Sequence, residues 1–131
     1  MAQIKENKMK KIILMTMLMS SVFAQSDCNK DNWREYYNSE GRDMTDCDLE
    51  GADLTGADLS GAILEGANLY WVQFQGAYLT GANLTSADLT DAFLADADLE
   101  GVRSSRIKGE PASLPKGWSL VDGRLIKKDG E

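Results

Sequence analysis

Along the middle of the chain, large apolar residues recur at every fifth position, and small residues recur two positions before them. From Cys47 onward the sequence divides without a gap into CDLEG, ADLTG, ADLSG, AILEG, ANLYW, VQFQG, AYLTG, ANLTS, ADLTD, AFLAD and ADLEG, and RDMTD ahead of them is a weaker further unit. The third position is Leu in ten of the eleven units, with Phe74 the exception, and the first is Ala in nine, with Cys47 and Val72 the others. The fifth is most often Gly, then Asp. A period of five fits neither regular element. On a helix the leucines would advance by about 500° per unit and leave no single face to bury, and each Gly would cost about 1 kcal/mol. In a flat strand an odd period sends successive leucines to opposite faces. A coil that turns after every unit satisfies all of them, with small and large residues pointing inward and Gly near each turn. The pattern therefore predicts an all-β solenoid over residues 47–106.

Tandem units of the form A(D/N)LxG resemble the pentapeptide-repeat family, and the likeness runs over residues 47–101. The resemblance implies a right-handed quadrilateral β-helix with one unit on each of four faces. Residues twenty apart then stack, and the repeat makes about three coils, each rising roughly 4.8 Å. The implied inward ladders are Leu49, Leu69 and Leu89; Leu54, Phe74 and Leu94; Leu59, Leu79 and Leu99; and Leu64 with Leu84. Each buried leucine contributes on the order of 1.5–3 kcal/mol. Cys47 heads a column with Ala67 and Ala87, and so points into the core at the first coil.

A solenoid ends in unpaired edges and a raw apolar cross-section, so both ends need covers. Residues 25–46 are the N-terminal candidate. Within residues 31–40, Trp33, Tyr36 and Tyr37 share one face of a short helix, and Gly41 is its expected stop. Residues 107–131 are the C-terminal candidate: Ser119-Leu120-Val121 and Arg124-Leu125-Ile126 around Asp122-Gly123 predict a hairpin. The stretch GEPASLPKGWSLVDGRLI resembles a segment that often follows such repeats in exported bacterial members, and Trp118 and Leu114 are expected in its core. Residues 1–24 have the layout of a secretory signal peptide. Lys5, Lys8, Lys10 and Lys11 precede an apolar run at residues 12–19, and Val22-Phe23-Ala24 suits cleavage before Gln25. That run is shorter than the ~20 residues a spanning helix needs. Export to the periplasm or the medium is the expectation. In such a compartment Cys28 and Cys47, the two cysteines of the chain, are expected to pair.

Charge narrows the chemistry. Removing residues 1–24 takes away four lysines and one glutamate, so the remaining 107 residues carry ten basic and twenty acidic side chains, a net charge of −10 instead of −7. Such a chain repels nucleic acid and anionic membrane surfaces and attracts cations or basic partners. It has no histidine, and its carboxylates sit on regular columns, so no nucleophile and base can be assembled. No catalytic, cofactor or metal site is expected. Residues 43–102 hold twelve acidic side chains and no Lys or Arg. Asp48, Asn68 and Asp88 alternate on one outward column and Asp58, Tyr78 and Asp98 on another, which leaves like charges roughly 10 Å apart. A calcium ion needs oxygens at ~2.3–2.6 Å, so a solvated acidic face is the reading, with a weak cation at the denser Asp96, Asp98 and Glu100 as the alternative. Some members of the family resembled are DNA mimics that bind topoisomerase and confer quinolone resistance. The signal peptide and the few coils set against a DNA turn of about 34 Å weigh against that alternative. What departs from the repeat rule is Tyr70 with Trp71, beside Gln73 and Phe93 on the neighbouring face, and these four form the candidate interaction patch. The function expected is that of a non-catalytic exported scaffold or protein-interaction module, not an enzyme.

Overall fold

Every fifth residue from Asp46 to Arg106 has a positive φ, between +52° and +72°, and at each of them the chain turns a corner. Seven of these thirteen corners are Gly, the residue that enters the left-handed region without a Cβ penalty. Between corners each side is too short for a regular strand and contributes one residue to pairing. Eleven parallel bridges join residues twenty apart, from Asp43 with Ile63 to Phe93 with Ser113. The computed structural model describes residues 27–128, so the expected signal peptide lies outside the described residues.

The coil satisfies its own backbone. A third-position N–H donates to the second-position carbonyl one turn on (Leu49 to Asn68, 2.9 Å), and a second-position N–H donates to the first-position carbonyl one turn back (Asn68 to Cys47, 2.9 Å). The fifth-position N–H reaches the fourth-position carbonyl one turn on (Gly51 to Tyr70, 2.9 Å), and the first-position N–H closes the corner (Ala52 to Leu49, 2.9 Å). The fourth-position N–H has no backbone acceptor in this scheme. The second-position side chain takes it: Oδ1 of Asp48, Asp53, Asp58, Asn68, Asn83, Asp88 and Asp98 accepts the N–H two residues on, at 3.0–3.3 Å. This local Asx bond is the physical reason for Asp or Asn at the second position.

Inside, the third-position residues from Leu49 to Leu99 are all at most 3 % exposed. Met44 is fully buried ahead of Leu64 and Leu84, so RDMTD supplies a third-position residue like the others. The twenty-residue pairing accordingly starts before Cys47, at Asp43, and continues past residue 106 through Asp88 with Lys108 and Phe93 with Ser113.

Ahead of the coil, Cys28 is disulfide-bonded to Cys47, with the two Cα atoms 4.7 Å apart. Asn29 bridges Asp48 in parallel, and the Asp48 N–H donates to the Cys28 carbonyl at 2.9 Å, which extends one column by a further strand residue. Helix α1 (Trp33–Tyr37) follows, with Trp33 buried. It is shorter than the span expected over residues 31–40, and Gly41 is not its stop. Asn38 caps it, and a turn closed from the Arg42 N–H to the Ser39 carbonyl carries Gly41, at φ +87°, into the coil. Side chains rather than helix length fix this segment. The Tyr37 hydroxyl (3.1 Å) and Arg42 Nη1 (2.7 Å) both donate to the Ser60 carbonyl.

Beyond the coil, β1 (Trp118–Val121) and β2 (Arg124–Lys127) pair antiparallel with Val121 opposite Arg124. Asp122 and Gly123 both have positive φ, as a two-residue hairpin turn requires. The Leu125 N–H donates to Ser104 Oγ at 2.9 Å, and the Ile107 N–H donates to the Gly123 carbonyl at 3.0 Å. Leu125 is the buried residue of the hairpin, whereas Trp118 and Leu114 are only partly buried against the core. Among the described residues no helix is long and apolar enough to cross a membrane.

Candidate functional site

Leu, Ala and Asp have structural tasks in the coil, so side chains that the fold leaves over are the first candidates for a site. Carboxylates come first. Asp53 lies below the ordinary carboxylate range because the Thr55 hydroxyl and then the Thr55 N–H donate to it. Asp58 is lowered by the Ser60 N–H, then by the Ser60 hydroxyl, with a smaller attraction from Arg42. Both act as turn acceptors held ionised by their donors. Asn68 Nδ2 donates to Asp48 Oδ1 (3.1 Å) and Glu50 Oε2 (3.4 Å), so the amide bridges the two carboxylates of the unit one turn earlier. Of the dense trio near residue 98, Glu100 is paired with Lys127 at 3.0 Å, and the Asp98 carboxylate accepts the Glu100 N–H. Among the described residues no three acidic or thiol groups converge as a metal would require.

The aromatic departures are the second group. Trp71 is 58 % exposed at a corner with φ +59°. This is a left-handed conformation that a bulky residue adopts rarely and at a cost. Its ring lies back over Gly51, one turn earlier, with Cε3 3.9 Å from where a Cβ on Gly51 would stand. Tyr70 beside it is 38 % exposed. Gln73 and Phe93 are bridge partners on the next side, Gln73 exposed and Phe93 half-buried. The structure thus gathers Tyr70 with Trp71, and Gln73 with Phe93. Trp71 stands beside the earlier turn at Gly51, and Phe93 belongs to the turn after Gln73. Tyr78, 53 % exposed at a second position where Asp is the rule, is a further exposed ring that sequence reasoning left out of the patch. Its departure from Asp or Asn was the available signal.

A third feature was not legible beforehand. Between α1 and the coil lies a shallow groove of about 250 Å³, lined by Trp33, Arg34, Tyr37, Asn38, Ala57 and Asp58. Its aromatic faces are already occupied: Arg34 sits 4.4 Å from the Trp33 ring centroid and Arg42 sits 4.9 Å from that of Tyr37.

The family of pentapeptide repeats matches residues 40–70 and 67–103, in eight copies. No curated protein matches the chain. Among solved structures it is similar to Rfr23, a pentapeptide repeat protein of the cyanobacterium Cyanothece 51142, at 34 % identity over 56 % of this chain and 52 % of that one, with a TM-score of 0.36. The chain thus spans about half the length of that relative. It is also similar to HetL, a pentapeptide repeat protein involved in heterocyst differentiation regulation from Nostoc sp. strain PCC 7120 (26 % identity, 64 % and 51 % covered, TM-score 0.28). A pentapeptide repeat protein of the Arabidopsis thaliana thylakoid lumen is a third (25 % identity, 64 % and 68 % covered, TM-score 0.26).

Proposed function

Because residues 40–103 of the chain belong to the pentapeptide-repeat family, we propose that the protein is a non-catalytic, exported scaffold that binds another protein through its outer faces. In this reading residues 1–24 are a cleaved signal peptide. Residues 47–106 form a right-handed coil of about three turns, and residues 25–46 and 107–131 close its two ends. The observation that carries the proposal is Trp71. A large ring is kept exposed in a left-handed corner where most of its equivalents are Gly, and strain of this kind persists where something other than folding selects it. The regular Asp carboxylates, by contrast, have a structural task in their turns.

Immobilised wild-type protein and Trp71→Ala tested against extracts of the native host should differ by at least one captured partner at unchanged thermal stability. Identical capture profiles would overturn the proposal. N-terminal sequencing of protein recovered from the periplasm or medium should begin at Gln25; a start at Met1 there would overturn the cleavage, and absence of the protein from both would overturn the export. The family's DNA-mimic alternative is favoured by the twelve acidic side chains between residues 43 and 102. It predicts inhibition of gyrase supercoiling at low micromolar protein, whereas the scaffold predicts none.

A further inference from the structure

We propose that the Tyr70–Trp71 corner receives a cationic segment of a partner protein, with a Lys or Arg side chain seated against the Trp71 ring. The inference rests on the interaction-scaffold reading and adds the chemistry that the partner must bring. The ring approaches Gly51 through Cε3, while the residue as a whole remains 58 % exposed. Its surroundings in the twenty-residue stack are acidic: Glu50 stands one turn before Tyr70, and Asp91 one turn after Trp71 on the same corner. Glu50 is held in place, because Asn68 accepts the Tyr70 N–H on Oδ1 (3.1 Å) and donates from Nδ2 to Glu50 (3.4 Å) and Asp48 (3.1 Å). No Lys or Arg occurs in residues 43–102, and the bases along this side are Lys30, next to Asn29 ahead of the first turn, and Lys108, bridged to Asp88 after Trp71.

An exposed indole face attracts cations through its quadrupole, and fixed carboxylates around it add Coulomb attraction. A neutral segment would gain only the ring's area, and an acidic one would be repelled. The chain uses the same chemistry on itself at its other end, where Arg34 and Arg42 cover the rings of Trp33 and Tyr37. Among the described residues Trp71 is in neither pair, and its own stretch holds no cation to offer it.

Calorimetric titration with hexa-arginine and hexa-glutamate peptides tests the assignment on the parent protein, Trp71→Gly and Trp71→Tyr. Hexa-arginine should bind the parent, about five- to tenfold more weakly to Trp71→Gly, and with most of its affinity to Trp71→Tyr. Hexa-glutamate should not bind. Equal affinity for the parent and Trp71→Gly would mean unspecific charge attraction and overturn the site, as would no heat with the parent. A photo-crosslinking residue in place of Gln73 separates the two levels. Capture of a partner through a neutral or acidic segment overturns the cationic assignment and leaves the scaffold standing. Absence of both peptide binding and any cross-linked partner overturns both.

Discussion

Each pentapeptide position answers to one constraint, and the exceptions are therefore informative. At the fifth position the constraint is positive φ, and Trp71 violates the preference most severely. Trp71→Gly should raise stability by about 1 kcal/mol, the left-handed penalty less the packing its ring makes on Gly51, as read from urea denaturation midpoints. An unchanged or lower midpoint would show that the ring's packing outweighs the strain. Converse changes should differ by position. Gly56→Ala meets nothing within 4 Å and carries the φ penalty alone, whereas Gly66→Ala also drives a Cβ into the Asp46 carboxylate, so it should be the more destabilising of the two. At the second position the constraint is an acceptor for the fourth-position N–H. Asp53 and Asp58 have folded pKa values below the ordinary 3.8. Their contribution is therefore complete above the unfolded value and is lost as pH falls through the depressed folded values, in the window below about pH 4. Asp53→Asn keeps an Oδ1 acceptor, as Asn68 and Asn83 do, and should flatten melting temperature against pH over that window without abolishing the fold. An unaltered pH profile would remove Asp53 as a source of the acid sensitivity.

The elements outside the coil differ in how far the sequence disclosed them. The hairpin was legible to within a residue because Asp122-Gly123 dictates a turn with two positive φ angles and the flanking residues alternate. The coil was legible because a period of five fits neither helix nor flat strand, and its twenty-residue stacking because the units resemble pentapeptide repeats. α1 was legible in place but not in extent: its aromatic spacing is helical, yet Tyr37 and Arg42 meet the Ser60 carbonyl, a contact across 23 and 18 residues that no local pattern encodes. Likewise the exposed rings could be named from broken repeat rules, but not the direction in which Trp71 leans. The Cys28–Cys47 bond ties the strand residue Asn29 to the first turn, so a quantitative test is available. Cys47→Ala reproduces the Ala67 and Ala87 found elsewhere in its column, and a Cys28→Ala/Cys47→Ala protein should keep its core. It should lose about 3 kcal/mol, the loop-closure entropy of a link across some twenty residues. Hydrogen exchange should quicken at the Asp48 amide, which donates to Cys28, and stay slow at Leu89 in the interior. Equal acceleration at both sites would mean that the link stabilises the whole coil rather than its first turn.

On the scale of the molecule, each turn pairs with the turns twenty residues before and after it. Among the described residues, the N-terminal segment bonds to the first turn at Asp48 and Ser60, and the hairpin bonds to the last at Glu100, Ser104 and Ile107. Stability should then behave as a sum of turns and neighbour interfaces, with no contact that requires the two ends to be a fixed distance apart. Excising residues 67–86 joins Gly66 to Ala87 in phase and removes one full turn, including Trp71 and Phe74. Every remaining third position still points inward, every corner still falls on a fifth position, and both end segments keep their anchors. This shortened protein should fold, form its disulfide and unfold cooperatively, with a urea m-value about a fifth smaller because less surface is exposed on unfolding. Excising residues 67–84 removes less of the chain but shifts the phase by two. The leucines after the junction then arrive where corners are needed, and the Asp acceptors no longer face the fourth-position N–H groups. That protein should fail to fold or should aggregate. The comparison separates phase from length as the determinant of the structure: similar behaviour of the two excisions would show that the coil is held by its ends, and the contrast described would show that it is held turn by turn.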